Sequence, residues 1–127
     1  MVDILIIEDN ELNALLLKEI CLSLGFFVCL GYSCKQAKKI IKERAGRSFD
    51  IILVDLCLPD GNGVLLAKEI KKMKGYEHIP FILLSGISSL KERMVLDKIF
   101  VAKVSKPIEI KELKDVLLKL TLKTFKG

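Results

Sequence analysis

No apolar run in this 127-residue chain approaches the ~20 residues that a membrane-spanning helix needs. The N-terminus, Met1-Val2-Asp3-Ile4-Leu5-Ile6-Ile7, has no basic stretch ahead of its apolar residues and meets Glu8-Asp9 at once, so it reads as a strand and not as a signal peptide. The four cysteines, Cys21, Cys29, Cys34 and Cys57, form no CxxC pair, and three of them lie inside hydrophobic runs. That spacing argues against a zinc ribbon or a dithiol redox centre, and reduced core thiols of a cytoplasmic protein are expected. The single histidine, His78, has no second His or Cys at ligand spacing and is expected on a surface loop.

Aromatic residues are few, at 6%, and none is interleaved with the lysines. Those lysines recur as Lys35, Lys38, Lys39 and Lys42, and as Lys68, Lys71 and Lys72, which is the spacing of a solvated helix face. The net charge of +5 therefore does not call for nucleic acid, and direct nucleic-acid binding is not expected. Repeats, low-complexity stretches and linkers are also missing. A single domain over residues 1–127 is expected, with a structured core to about residue 122 and a tail at 123–127.

What is present alternates two periodicities. Ile51-Ile52-Leu53-Val54 is a run of four apolar residues, three of them β-branched, as in a strand covered on both faces. Asp55 closes it, and Pro59, Gly61 and Gly63 supply a turn. Further strands are expected at residues 2–7, 26–30, 81–84 and 101–104, with this central one starting at Phe49. Helical patterns follow each strand. The first places Leu12, Leu15, Leu16 and Ile20 on one face and ends at Gly25; the second is capped by Ser33, turns Ala37, Ile40 and Ile41 inward and stops at Gly46. A third runs over 64–73, a fourth from Ser88 or Ser89 to Ile99 with Leu90, Met94 and Val95 inward, and a fifth carries Ile110, Leu113, Val116, Leu117 and Leu120. Five βα units in succession imply an α/β fold: a five-stranded parallel sheet, doubly wound as (βα)5, with helices on both faces.

In such a sheet ligands bind beyond the carboxyl ends of the strands. Glu8 and Asp9 follow the first strand, Asp55 ends the third, Ser85 the fourth and Lys106 the fifth, so all can meet at one rim. Glu8 and Asp9 also stand where acids favour a helix N-terminus. Three carboxylates in one pocket repel unless neutralised, and a hard divalent cation such as Mg²⁺ does so with oxygen ligands. A lysine and a hydroxyl beside them suit an anion. Metal, lysine and hydroxyl around one carboxylate form a phosphoryl-transfer site with that carboxylate as nucleophile.

These residues carry a resemblance. The Glu8-Asp9 pair, Asp55 with Leu58-Pro59-Asp60-Gly61-Asn62-Gly63 after it, Ser85-Gly86 and Lys106-Pro107 stand in the order and spacing of a response-regulator receiver domain of two-component signalling, which the whole chain resembles. The resemblance implies that Asp55 accepts a phosphoryl group from a histidine kinase or phosphotransfer protein. Glu8, Asp9, Asp55 and the backbone carbonyl of Cys57 would hold Mg²⁺, Lys106 would pair with the phosphoryl group and Ser85 would turn toward it. The Lys106-Pro107 bond would be cis.

It further implies a signal carried by altered affinity for an effector, a possible homodimer, and no enzyme activity beyond the domain's own aspartyl phosphorylation and dephosphorylation. One position departs from the family: Lys103 stands where a Tyr or Phe usually couples to the hydroxyl residue, and an ammonium cannot be buried as a ring can. The alternative function is a receiver-like docking or dimerisation module independent of phosphorylation. A phosphohydrolase on a related sheet would want an acid two residues after the nucleophile, where this chain has Cys57.

Overall fold

The computed structural model describes residues 1–86 and 98–126. Strands β1 (Asp3–Ile7), β2 (Phe27–Gly31), β3 (Ile51–Asp55), β6 (Phe81–Ser85) and β7 (Ala102–Ser105) form one parallel sheet in the order β2-β1-β3-β6-β7. The intervening β4 (Cys57–Leu58) and β5 (Gly61–Asn62) are a two-residue antiparallel ladder in the loop after β3. The helices among the described residues are α1 (Glu11–Ser23), α2 (Cys34–Glu43), α3 (Gly63–Lys71) and α4 (Ile110–Lys126).

Successive side chains of a strand point to opposite faces, and here they sort into two apolar layers. Leu5, Ile7, Ile52, Val54, Phe81 and Leu83 pack with Ala37 and Ile41 of α2 and with Leu66, Ala67 and Ile70 of α3. Ile4, Ile6, Ile51, Leu53, Ile82 and Leu84 pack with Leu17, Ile20 and Cys21 of α1 and with Leu113 and Leu117 of α4. All five residues of β3 and of β6 are buried, as the unbroken apolar runs required.

The expected five-stranded parallel sheet with helices on both faces is therefore present, and the deviations are local. On α1 the buried stripe is Ala14, Leu17, Ile20 and Cys21, while Leu12 is 80% and Leu15 53% exposed. Leucines surround this helix, so apolar spacing alone does not select the face. At its start Asn10, not the acidic pair, caps it by accepting from the Asn13 N–H at 2.9 Å. Ser33 caps α2 as expected, accepting from the Gln36 N–H. Gly25, Gly46 and Gly75 follow their helices with positive φ. The last helix, α4, runs to Lys126, through the stretch read as a tail from 123, and no Gly or Pro interrupts the sequence before Gly127. The helix expected from Ser88 or Ser89, with Leu90, Met94 and Val95, lies outside the described residues.

Candidate functional site

The carboxyl ends of β1, β3, β6 and β7 lie side by side, and backbone bonds carry the ladder one residue past each strand. The Glu8 N–H donates to the Gly31 carbonyl, Leu56 to Leu84 and Lys106 to Ser85, each at 3.0 Å. Glu8 and Lys106 are thus fixed at the backbone, and their side chains converge. Lys106 Nζ lies 2.9 Å from Asp55 Oδ2 and 3.0 and 3.3 Å from the two Glu8 carboxylate oxygens. The Lys106-Pro107 peptide is cis, as expected.

Glu8 and Asp55 are buried while Asp9 is exposed, and oxygens of the three carboxylates lie within 4.8 Å of one another. The Cys57 N–H donates to Asp55 Oδ1 at 3.3 Å. Ser85 is 2% exposed, and with Asp9, Asn13, Asp55, Cys57 and Lys106 it lines a recess of about 400 Å³.

Gly63, the first residue of α3, holds the loop after β3 against this site. Its N–H donates to the Leu56 carbonyl at 2.8 Å, and a Cβ there would stand 2.0 Å from the Asp55 carbonyl oxygen. Only glycine lets the two backbones approach so closely.

The electrostatics follow from three acids and one lysine. Burial, then the neighbouring Asp55, push the Glu8 carboxyl up from 4.5 to about 7. Burial also works against the charge of Asp55, but hydrogen bonds from Glu8 and Lys106 hold its carboxyl below the ordinary range. Burial works against the Lys106 ammonium as well, and its two carboxylate partners outweigh that and raise it. One proton at Glu8 relieves the repulsion. Fully ionised, three carboxylates against one ammonium leave two negative charges, which a divalent cation balances, and the all-oxygen donor set suits a hard one.

All the side chains named from sequence, Glu8, Asp9, Asp55, Ser85 and Lys106, meet at this rim. Asn13 was missed. It sits in the first turn of α1, lines the recess and hydrogen-bonds Glu8 through its side chain. The polar residue three places after the capping Asn10 is the signal that could have found it. His78 is exposed and apart, as read. Cys21 and Cys34 are pushed up by burial to about 12 and about 11, far from thiolate at neutral pH.

A doubly wound sheet with an acidic pair, an aspartate, a hydroxyl and a lysine at one rim defines the class of flavodoxin-like receiver folds. The chain belongs to the response regulator receiver domain family, whose model matches residues 4–118. It is 29% identical over 108 residues to the polar-differentiation response regulator DivK of Brucella ovis, covering 84% of this chain and 85% of that protein. It is 29% identical over 89 residues to the transcriptional regulatory protein ZraR of Escherichia coli O157:H7, covering 70% of this chain and 19% of that much longer protein. Among solved structures, the Vibrio cholerae chemotaxis protein CheY4 superposes with a TM-score of 0.86 at 17% identity over 94% of this chain and 98% of that one, a likeness of fold. The protein is a receiver domain of a two-component response regulator.

Proposed function

We propose that Asp55 is the phosphoacceptor of this receiver, charged by a histidine kinase or a phosphotransfer protein in the cytoplasm. The observation that supports this most is the lysine clasp: Lys106 Nζ touches both Asp55 and Glu8, so one cation already stands where three phosphoryl oxygens would need neutralising. An Asp55 carboxylate oxygen forms a bond to phosphorus as the phosphorus–nitrogen bond of a phosphohistidine breaks, and the departing imidazole takes up a proton. The depressed carboxyl of Asp55 keeps the nucleophile ionised.

Glu8, Asp9 and Asp55, with the Cys57 carbonyl, would hold Mg²⁺, which supplies charge neutralisation to the phosphoryl oxygens. Lys106 releases Glu8 and follows the phosphoryl group, and the Ser85 hydroxyl donates to it. The domain's only chemistry is then its own phosphorylation and hydrolysis. The output is a changed affinity for an effector or for a second copy of the chain.

Intact mass after incubation with acetyl phosphate tests this. A gain of a single phosphoryl group that needs both Mg²⁺ and Asp55, and is absent in Asp55→Asn, is the expected result. No gain in folded protein under any metal condition would turn the reading to a phosphorylation-independent docking module.

A further inference from the structure

At the opposite end of the sheet, where β3 and β6 begin, the loops leaving α2 and α3 enclose a second recess of about 660 Å³. Its apolar wall is Ile41, Met73 and Tyr76, and its polar lining includes Lys42, Arg47 and Lys74 with Ser48. Tyr76 is a rigid wall: it is buried and its hydroxyl accepts from the Phe49 N–H at 3.3 Å. Met73 is an adaptable one, being unbranched and partly buried. Gly46 and Gly75, both at positive φ, border the recess without side chains that could fill it. A volume of this size falls in the range of small-molecule sites, about 300–1,000 Å³.

The charged side chains that line it are all basic, and the one carboxylate at its border, Glu77, accepts from the Gly75 N–H at 3.1 Å. Neighbouring cations have structural employment: Arg44 pairs with Asp3 at 2.9 Å and lies over the Phe49 ring, and Lys71 donates to the Ile79 carbonyl and lies over the Phe81 ring. Lys38 pairs with Glu69. Lys42, Arg47 and Lys74 have no ion-pair or hydrogen-bond partner for their side chains among the described residues, and no lining residue is acidic. Three unpaired cations bordering an apolar recess match a molecule with an apolar body and one anionic end.

We propose that this recess binds a small amphiphilic anion, a carboxylate or phosphate ester carried on an aliphatic or aromatic body, far from the phosphoacceptor rim. The site takes the apolar body between Ile41, Met73 and Tyr76 and leaves the anion among Lys42, Arg47 and Lys74. It does not depend on the phosphoacceptor reading, because no residue is shared with the rim.

Decanoate below its micelle concentration is a direct probe, with decanol as the neutral control, followed by amide-resolved NMR on the whole chain. Saturable shifts centred on Ile41, Ser48, Gly75 and Tyr76 are expected, stronger for decanoate than for decanol. The triple variant Lys42→Gln, Arg47→Gln, Lys74→Gln should weaken decanoate about tenfold, the sum of three modest charge contributions. It should leave decanol binding and the unfolding midpoint unchanged, since those side chains hold no partner in the fold. Absence of saturable shifts would overturn the proposal, as would shifts centred on the exposed Leu12 and Leu15 of α1, or equal decanoate affinity in the triple variant. Binding of an acidic peptide where decanoate fails would overturn it in favour of a protein partner.

Discussion

Gly63 shows how closely Asp55, the proposed phosphoacceptor, is tied to its surroundings. A methyl group there would meet the carbonyl oxygen and carbon of Asp55 and the Leu56 Cα, all of them backbone atoms with no rotamer to yield. Gly63→Ala is expected to cost about 1–3 kcal/mol through forced backbone displacement. It should also slow phosphorylation by acetyl phosphate, because Asp55 must move. Denaturant unfolding beside intact-mass kinetics checks both, and an unchanged midpoint would show that the loop after β3 adapts freely.

Glu8 sets the pH behaviour of the same rim. Its carboxyl is raised from 4.5 to about 7, so the metal-free folded state holds that proton more tightly than the unfolded chain. The resulting stabilisation is complete below 4.5 and is lost as pH rises through about 7. Mg²⁺ needs the ionised form, so its affinity should climb across that window with proton release. The Asn13 side chain favours the ionised form by hydrogen-bonding it. Asn13→Ala is expected to weaken Mg²⁺ about tenfold at neutral pH, in the way outer partners tune metal ligands, and to move the window upward. Calorimetric Mg²⁺ titrations across pH measure both effects; identical profiles for variant and wild type would deny Asn13 that role.

At the scale of elements, α2 is fastened at its N-terminus by a residue from another loop. Asp60 accepts from the Cys34 and Lys35 N–H groups at 2.8 and 3.0 Å, in addition to the Ser33 cap. Those two backbone bonds hold its carboxyl below the ordinary range. A depressed carboxyl contributes stability that is present above its unfolded value and lost as pH falls through the folded one. Asp60→Asn should therefore unfold at a lower temperature than wild type near neutral pH and match it in acid. A gap that persists unchanged on acidification would mean that charge is not what Asp60 contributes.

Elements differed in how legible they were. The central strands β1, β3 and β6 could be read because apolar runs buried on two faces leave no alternative periodicity, and the rim because strand ends in such a sheet have one direction. The face of α1 could not, since leucines at 12, 15, 16, 17 and 22 fit several stripes. The tie from Asp60 to α2 left no local trace, because its partners lie 25 and 26 residues earlier in the chain. The β4–β5 ladder is two residues long, too short to leave a periodic trace.

Over the whole molecule the question is how far a phosphoryl group at the rim is felt. Lys103 lies half-buried on β7, where the family places an aromatic ring. Carrying an ammonium inward costs several kcal/mol of desolvation, about 2–7 even for a neutral polar group, and a ring has no such penalty. Phosphorylation of Asp55 is expected to shift amide resonances strongly around Glu8, Cys57 and Lys106 and weakly along β7 and α4, with Lys103→Tyr enlarging the second set. A large rearrangement centred on β7 in the wild type would contradict this.

Lys106 and Glu8 are separated by 98 residues, and their contact joins the loop after the last strand to the end of the first. During synthesis the three acids precede the lysine, so a partial chain ending before residue 106 carries them without that counterion. The proposed phosphoacceptor rim is therefore complete only once residue 106 has been made and β7 lies against β6. A partial chain that has not yet laid β7 against β6 is therefore expected to take up no phosphoryl group from acetyl phosphate.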